Sequence, residues 1–229
     1  MRVEYQLILD DFDCELGAAS ELVLATDSPS SFGAEARVSL ANCVTLLLAS
    51  IFEEYVRQLV RAGWQQKCLL AEDLAAFPEK LRSKLWRSGM ERVARLTLEK
   101  DLSGARSRVE GLIRFCIDED LNADVEKDIS HNDVNMRPGE IGRLFNQIGV
   151  LDIIGKASGK QAILDHFGEE NAGVAAVSCR AALEDFFERR NTIAHALTFG
   201  SSGGATSLNN DISFMKAMAL GLAEALDAD

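Results

Sequence analysis

Proline is almost missing from this 229-residue chain, with three in all, so few positions force a helix to end. Aromatic residues make up only 7%, and no stretch alternates β-branched and polar residues as a half-buried strand does. The five cysteines (Cys14, Cys43, Cys68, Cys116, Cys179) are odd in number and never stand as C-x-x-C. That fits neither a disulfide framework nor a zinc-ligand pattern, and reduced packing thiols are expected. The longest nearly unbroken apolar run, 43–52, is about half of the roughly 20 residues a bilayer span needs. At the amino terminus only Arg2 is basic before Glu4, Asp10 and Asp11, unlike the basic-then-apolar start of a secretory signal. A cytoplasmic protein without a membrane span is the expectation.

The rest of the composition, 47% hydrophobic and 26% charged, suits one large core or two small ones. A formal charge of −12 speaks against a surface that coats duplex DNA, because each phosphate contact needs a nearby Lys or Arg. The charge is uneven. Residues 79–114 hold ten Lys or Arg against five Asp or Glu, a balance of +5, so the remaining residues carry −17. Such a stretch is either the solvated face of exposed helices or a contact for a polyanion.

Leu, Ala, Glu and Arg dominate the long stretches, which predicts an all-α protein. Helices are expected over 3–26, ended by the Asp-Ser-Pro-Ser-Ser cluster at 27–31, and over about 34–66, with Val44, Leu47, Leu48, Ile51, Tyr55 and Leu59 as a core stripe. Two or three shorter helices follow over 71–118, broken near Pro78 and around Ser103-Gly104, and 118–138 reads as the longest loop. Helical spacing returns at 140–148, weakly over 151–167, and strongly over 172–197. The Gly/Ser-rich 200–207 reads as a linker before a last helix at about 208–226. No break in composition divides the chain, so residues 1–229 read as a single domain with a basic helical insertion at about 71–136.

On a helical wheel, 172–197 places Cys179, Leu183, Phe187, Ala194 and Leu197 on one face, with Phe186 and Ile193 beside them. Arg190 falls in the middle of that face, whereas Arg189 lies opposite, near Asp185 and Ser178. A guanidinium on an apolar face must meet a carboxylate, a carbonyl or a partly wet cleft. Glu53 and Glu54, at the edge of the second helix's stripe, are candidates for an internal pair. His195 follows five residues after Arg190 and shares a face with Asn191, so guanidinium and imidazole are able to converge on one anionic group. His131 and His166 read as ordinary surface residues.

Arg followed by four to six residues and His is unspecific as bare spacing, since about 0.6 matches arise by chance in this composition. Its context is more telling: Arg190-Asn191-Thr192-Ile193-Ala194-His195 ends a long helix of an all-α chain, with a polar residue directly after the Arg. Three stretches, 51–59 (IFEEYVRQL), 137–149 (from RPGEIGRLF) and 188–196 (ERRNTIAHA), resemble the HEPN superfamily, the higher eukaryotes and prokaryotes nucleotide-binding domains. The third carries that superfamily's Arg-x4-6-His motif, and the chain looks most like the RiboL-PSP branch or its near relatives.

The resemblance implies an antiparallel helical bundle with extra helices that pairs as a two-fold homodimer, motif helices facing across a cleft. It implies an endoribonuclease acting without metal or cofactor, in which His195 is general base or acid and Arg190 the phosphate clamp. Asn191 orients phosphate or imidazole, and Glu53, with Glu54 as the alternative, holds Arg190. RNA carries its own nucleophile, the 2′-hydroxyl, so proton transfer and a cation beside the phosphorus suffice. The carboxyl end of a helix carries the negative pole of its dipole, which suits His195 to the acid's role. A toxin restrained by an antitoxin or other regulatory protein, or an antiviral defence effector, is implied in the same way. The competing reading is a HEPN-like module that binds a protein or nucleotide partner and cleaves nothing; the acidic charge, which repels RNA at long range, favours it.

Overall fold

A computed structural model describes residues 1–26, 32–195 and 203–229. The turn cluster at 27–31, Leu197 and the 200–202 part of the linker lie outside the described residues. Ten α-helices and no strand are present among the described residues: α1 (Val3–Thr26), α2 (Ala34–Leu70), α3 (Leu81–Leu98), α4 (Leu102–Cys116), α5 (Glu126–Ile129), α6 (Pro138–Gln147), α7 (Ile153–Ser158), α8 (Gln161–Phe167), α9 (Ala172–His195) and α10 (Ala205–Asp227). The all-α expectation holds. The chain forms two compact units, Met1–Leu59 with Val134–Gly142 and Asp152–Asp229, and Val60–Asp133 with Arg143–Leu151.

In the first unit α10 is apolar on nearly every side and is buried accordingly, from Leu208 through Phe214, Met218 and Leu222 to Leu226. Its small residues let neighbours approach. A Cβ added at Gly221 would stand 2.8 Å from Ile163 Cδ1 on α8 and 3.1 Å from the Ala157 carbonyl on α7. α1 runs antiparallel to α10: the Arg2 backbone N–H donates to Asp227 at 2.8 Å, and Lys216 lies 3.9 Å from Asp13. The amino-terminal part of α2 enters this core through Phe52 and Tyr55. Phe12 stacks 4.5 Å from Tyr55, Phe52 meets Phe187 at 6.5 Å, and the Tyr55 hydroxyl donates to the Ala219 carbonyl at 2.7 Å. Burying each such side chain contributes about 1.5–3 kcal/mol.

The second unit is organised around Trp64, whose ring lies 4.7 Å from Phe77 and 5.2 Å from Phe115. α3 and α4 pack antiparallel; a Cβ at Gly89 would strike Leu112. The break between them falls at 99–101 instead of Ser103-Gly104. Asp101 caps α4 by accepting from the Gly104 N–H at 2.9 Å, which brings that Ser-Gly pair inside the first turn. Asp128 is buried between two arginines, with Arg92 Nη2 at 2.5 Å and Arg108 Nε at 3.2 Å.

Some expected core positions are not core. Along α2, Val44, Leu48, Tyr55 and Leu59 are buried, but Leu47 is 36% exposed and Ile51 is half-buried, because the apolar stripe is wider than the side that packs. α2 also contains an 18-residue stretch of mean hydropathy 1.4, one-third buried, that would pass for a membrane span by length and composition. A soluble protein's core helix passes the same test. All five cysteines are free, and only Cys179 is fully buried. His166 is not an ordinary surface residue: its half-buried ring packs against Phe167 and Phe214.

Candidate functional site

Asn171 starts α9 by accepting from the N–H groups of Gly173 at 2.8 Å and Val174 at 3.3 Å. The helix then buries Ala175, Ala176, Cys179, Leu183, Phe186 and Phe187. Arg190 continues that stripe, half-buried, one turn beyond Phe187. Its Nη1 donates to Asn191 Oδ1 at 3.4 Å, while its Nε is buried and has no hydrogen-bond partner. Arg189 has a different task. It reaches α10, donating to Asp211 at 2.7 and 3.2 Å and to Ser207 at 3.0 Å. Burial raises the Asp211 carboxyl above its ordinary value, and Arg189 opposes this.

Asn191 is held from a second direction. Asn135, just before α6, donates its side-chain amide to Asn191 Oδ1 at 2.5 Å. The Asn191 carbonyl oxygen therefore accepts from both Asn135 and Arg190, and its own NH₂ has no acceptor among the described residues. Arg137, two residues on, donates to Glu184 at 2.8 Å and to Glu188 at 2.5 Å, carboxylates one turn apart on the face of α9 that carries Asn191 and His195. His195 is the last residue of α9, exposed and without a hydrogen bond to the described residues.

Glu53 faces this group from α2. Burial pushes its carboxyl above the usual carboxylate range, and Arg57, Arg190 and the Met136 backbone N–H act in the opposite direction. Its ion pair is with Arg57, at 3.9 Å, and its Oε1 is buried without a hydrogen-bond partner. Glu53 and Arg190 thus attract each other without a hydrogen bond, and each keeps one unpartnered polar atom. Glu54, the alternative, is engaged by Arg57 at 2.9 Å and by Gln58 at 3.4 Å.

The four residues expected from the sequence are therefore Arg190 and Asn191 in contact, Glu53 opposite them, and His195 at the helix end. Asn135 and Arg137 are the additions. Arg137 lies in one of the three stretches that carry the resemblance, but nothing in the spacing signalled its two glutamates. Asn135 gives no sequence signal beyond its polar loop.

A family model described as RiboL-PSP-HEPN matches residues 19–228, nearly the whole chain. The chain belongs to that family. No curated protein and no solved structure matches it. The match spans every site residue named above.

Proposed function

We propose that this HEPN protein is an endoribonuclease that cleaves by attack of the ribose 2′-hydroxyl on the adjacent phosphorus, using side chains alone. The observation that carries the reading is Arg190: a half-buried guanidinium on an apolar helix face that makes no ion pair among the described residues and donates instead to Asn191, whose own NH₂ is free among them. A guanidinium without a paired carboxylate and a free amide on adjacent residues suit the two non-bridging oxygens of a phosphodiester.

In this mechanism the 2′-oxygen forms its bond to phosphorus as a base takes its proton, and the bond to the 5′-oxygen breaks as an acid protonates that leaving group. The products are a 2′,3′-cyclic phosphate and a 5′-hydroxyl. Arg190 and Asn191 offset the charge that builds on the phosphoryl oxygens, and His195 transfers the proton. Glu53 tempers the Arg190 charge without occupying its Nε. A positioned acid or base contributes roughly 10²–10⁴ in rate and a preorganised donor roughly 10²–10³. The apolar side of the last turn of α9, with Ala194 exposed and Ile193 half-buried, supports pairing of two copies along this helix. The family resemblance extends the proposal to a cytoplasmic toxin or defence effector under a regulatory protein.

The chemistry is checked by its ends. Cleaved RNA carries 2′,3′-cyclic phosphate, and an oligonucleotide with 2′-deoxyribose at the cut position resists. Products bearing 3′-hydroxyl ends, or cleavage of DNA, contradict the mechanism. The net charge of −12 favours a second reading, a module that binds a protein partner without cleavage.

A further inference from the structure

The two tryptophans occupy opposite situations in the second unit. Trp64 is sealed in its core, whereas Trp86 is half-buried on the outer side of the α3–α4 hairpin. Trp86 lines a groove of about 900 Å³ together with Arg82, Ser83, Arg87, Met90 and Cys116. The spacing explains the lining: positions 82, 86 and 90 recur every fourth residue along α3, with 83 and 87 beside them. The floor is closed at the end of α4, where Cys116 donates to the Arg82 carbonyl at 3.7 Å and Ile117 stays 62% exposed. Arg82 is tied to Glu119 at 2.5 Å. Arg87, exposed, makes no ion pair among the described residues. Glu91 is the one acidic residue in the lining.

An indole on an open apolar floor, bordered by the guanidinium of Arg87, which makes no ion pair among the described residues, complements a flexible polyanion with planar bases. Every nucleobase has a face to stack, so such a platform is tolerant of sequence, and only an unpaired strand exposes those faces. We infer that this groove binds the RNA as a single strand, one base stacked on Trp86 and a neighbouring phosphate met by Arg87. Naming that strand the substrate rests on the ribonuclease reading; the binding itself does not. Because stacking and phosphate contacts ignore the 2′-hydroxyl, single-stranded DNA occupies the groove as well.

The test uses full-length His195→Ala protein, so that RNA stays intact, titrated with a 12-nucleotide oligouridylate, its deoxy analogue and a duplex of the same length. Both single strands quench the emission of Trp86 and the duplex does not; Trp86→Phe abolishes the quenching because buried Trp64 does not respond. With labelled oligouridylate, Trp86→Ala weakens binding roughly five- to a hundredfold, and Trp86→Phe, which keeps a ring, by far less. Arg87→Ala lowers the slope of log affinity against log salt by about 0.7, one single-strand phosphate contact. Unchanged affinity in both Trp86→Ala and Arg87→Ala, or quenching by an acidic peptide and not by oligonucleotides, overturns the inference. If wild-type protein cuts RNA while Trp86 is silent, the groove fails and the nuclease stands; if the oligonucleotides quench Trp86 but no RNA is ever cut, the reverse holds.

Discussion

Asn135 and Asn191 lie 56 residues apart in sequence and share a hydrogen bond of 2.5 Å, the amide of the first donating to the carbonyl oxygen of the second. That bond occupies the Asn191 carbonyl oxygen, which also accepts from Arg190 Nη1, and leaves the Asn191 NH₂ without an acceptor among the described residues. Asn135 is thus a positioning residue. Asn135→Ala is expected to lower kcat roughly ten- to a hundredfold with little change in KM, while Asn135→Asp, which has no amide to donate, behaves alike. A fall in thermal stability with unchanged kcat contradicts this role.

A second expectation concerns Asp128, buried between Arg92 and Arg108 in the second unit. Its removal leaves two guanidinium groups without their shared countercharge. Asp128→Ala is expected to cost about 3–5 kcal/mol in urea unfolding, far above the ~1 kcal/mol for the exposed pair of Arg106 and Glu110. Equal effects of Asp128→Ala and Glu110→Ala would show that the cluster does not hold this unit together.

Close packing of α10 gives a third. Gly221→Ala places a methyl group 2.8 Å from Ile163 Cδ1 and 3.1 Å from a backbone oxygen. Ile163 has room to turn only at a cost, so a loss of about 1–3 kcal/mol is expected. Gly221→Ala combined with Ile163→Val should recover part of it; no recovery points away from this contact.

Two histidines make the fold sensitive to acid. Burial lowers the ionisation of His166, and burial followed by Arg92 lowers that of His131, with Asp133 opposing. An unfolded His titrates near 6.5, so below that pH the unfolded chain takes up protons before the folded one. The stability these rings contribute is present above about pH 6.5 and is lost as pH falls through their lower folded values. Glu53 and Asp211, both raised, pull the other way, so the difference between wild type and variant is the informative quantity. His166→Phe is expected to reduce the slope of unfolding free energy against pH by up to one proton between pH 6.5 and 5. An unchanged slope removes His166 from the account.

Long periodic elements were the most legible. The boundaries of α1 at residues 3 and 26 follow from its spacing, while α2 runs four residues past the expected end because nothing between 66 and 70 opposes a helix. The α3–α4 break was misplaced because Ser103-Gly104 looks like a stop, yet Asp101 two residues earlier supplies the cap that pulls both into the helix. The four-residue α5 is too short for any period to register. Within the site, Arg190 stood out as a charge on an apolar face, a local property of one helix. The hold of Asn135 on Asn191 and of Arg137 on Glu184 and Glu188 depends on chain distant in sequence, and no local pattern encodes it.

The central claim, that Arg190 grips a phosphodiester while His195 moves the proton, is tested most directly by incubating RNA with purified protein in EDTA beside Arg190→Ala and His195→Ala. The account predicts cleavage by wild type and a loss of at least about a hundredfold in each variant, with thermal stability of His195→Ala unchanged. Equal cleavage by all three proteins, or cleavage that appears only on adding a divalent metal, contradicts it.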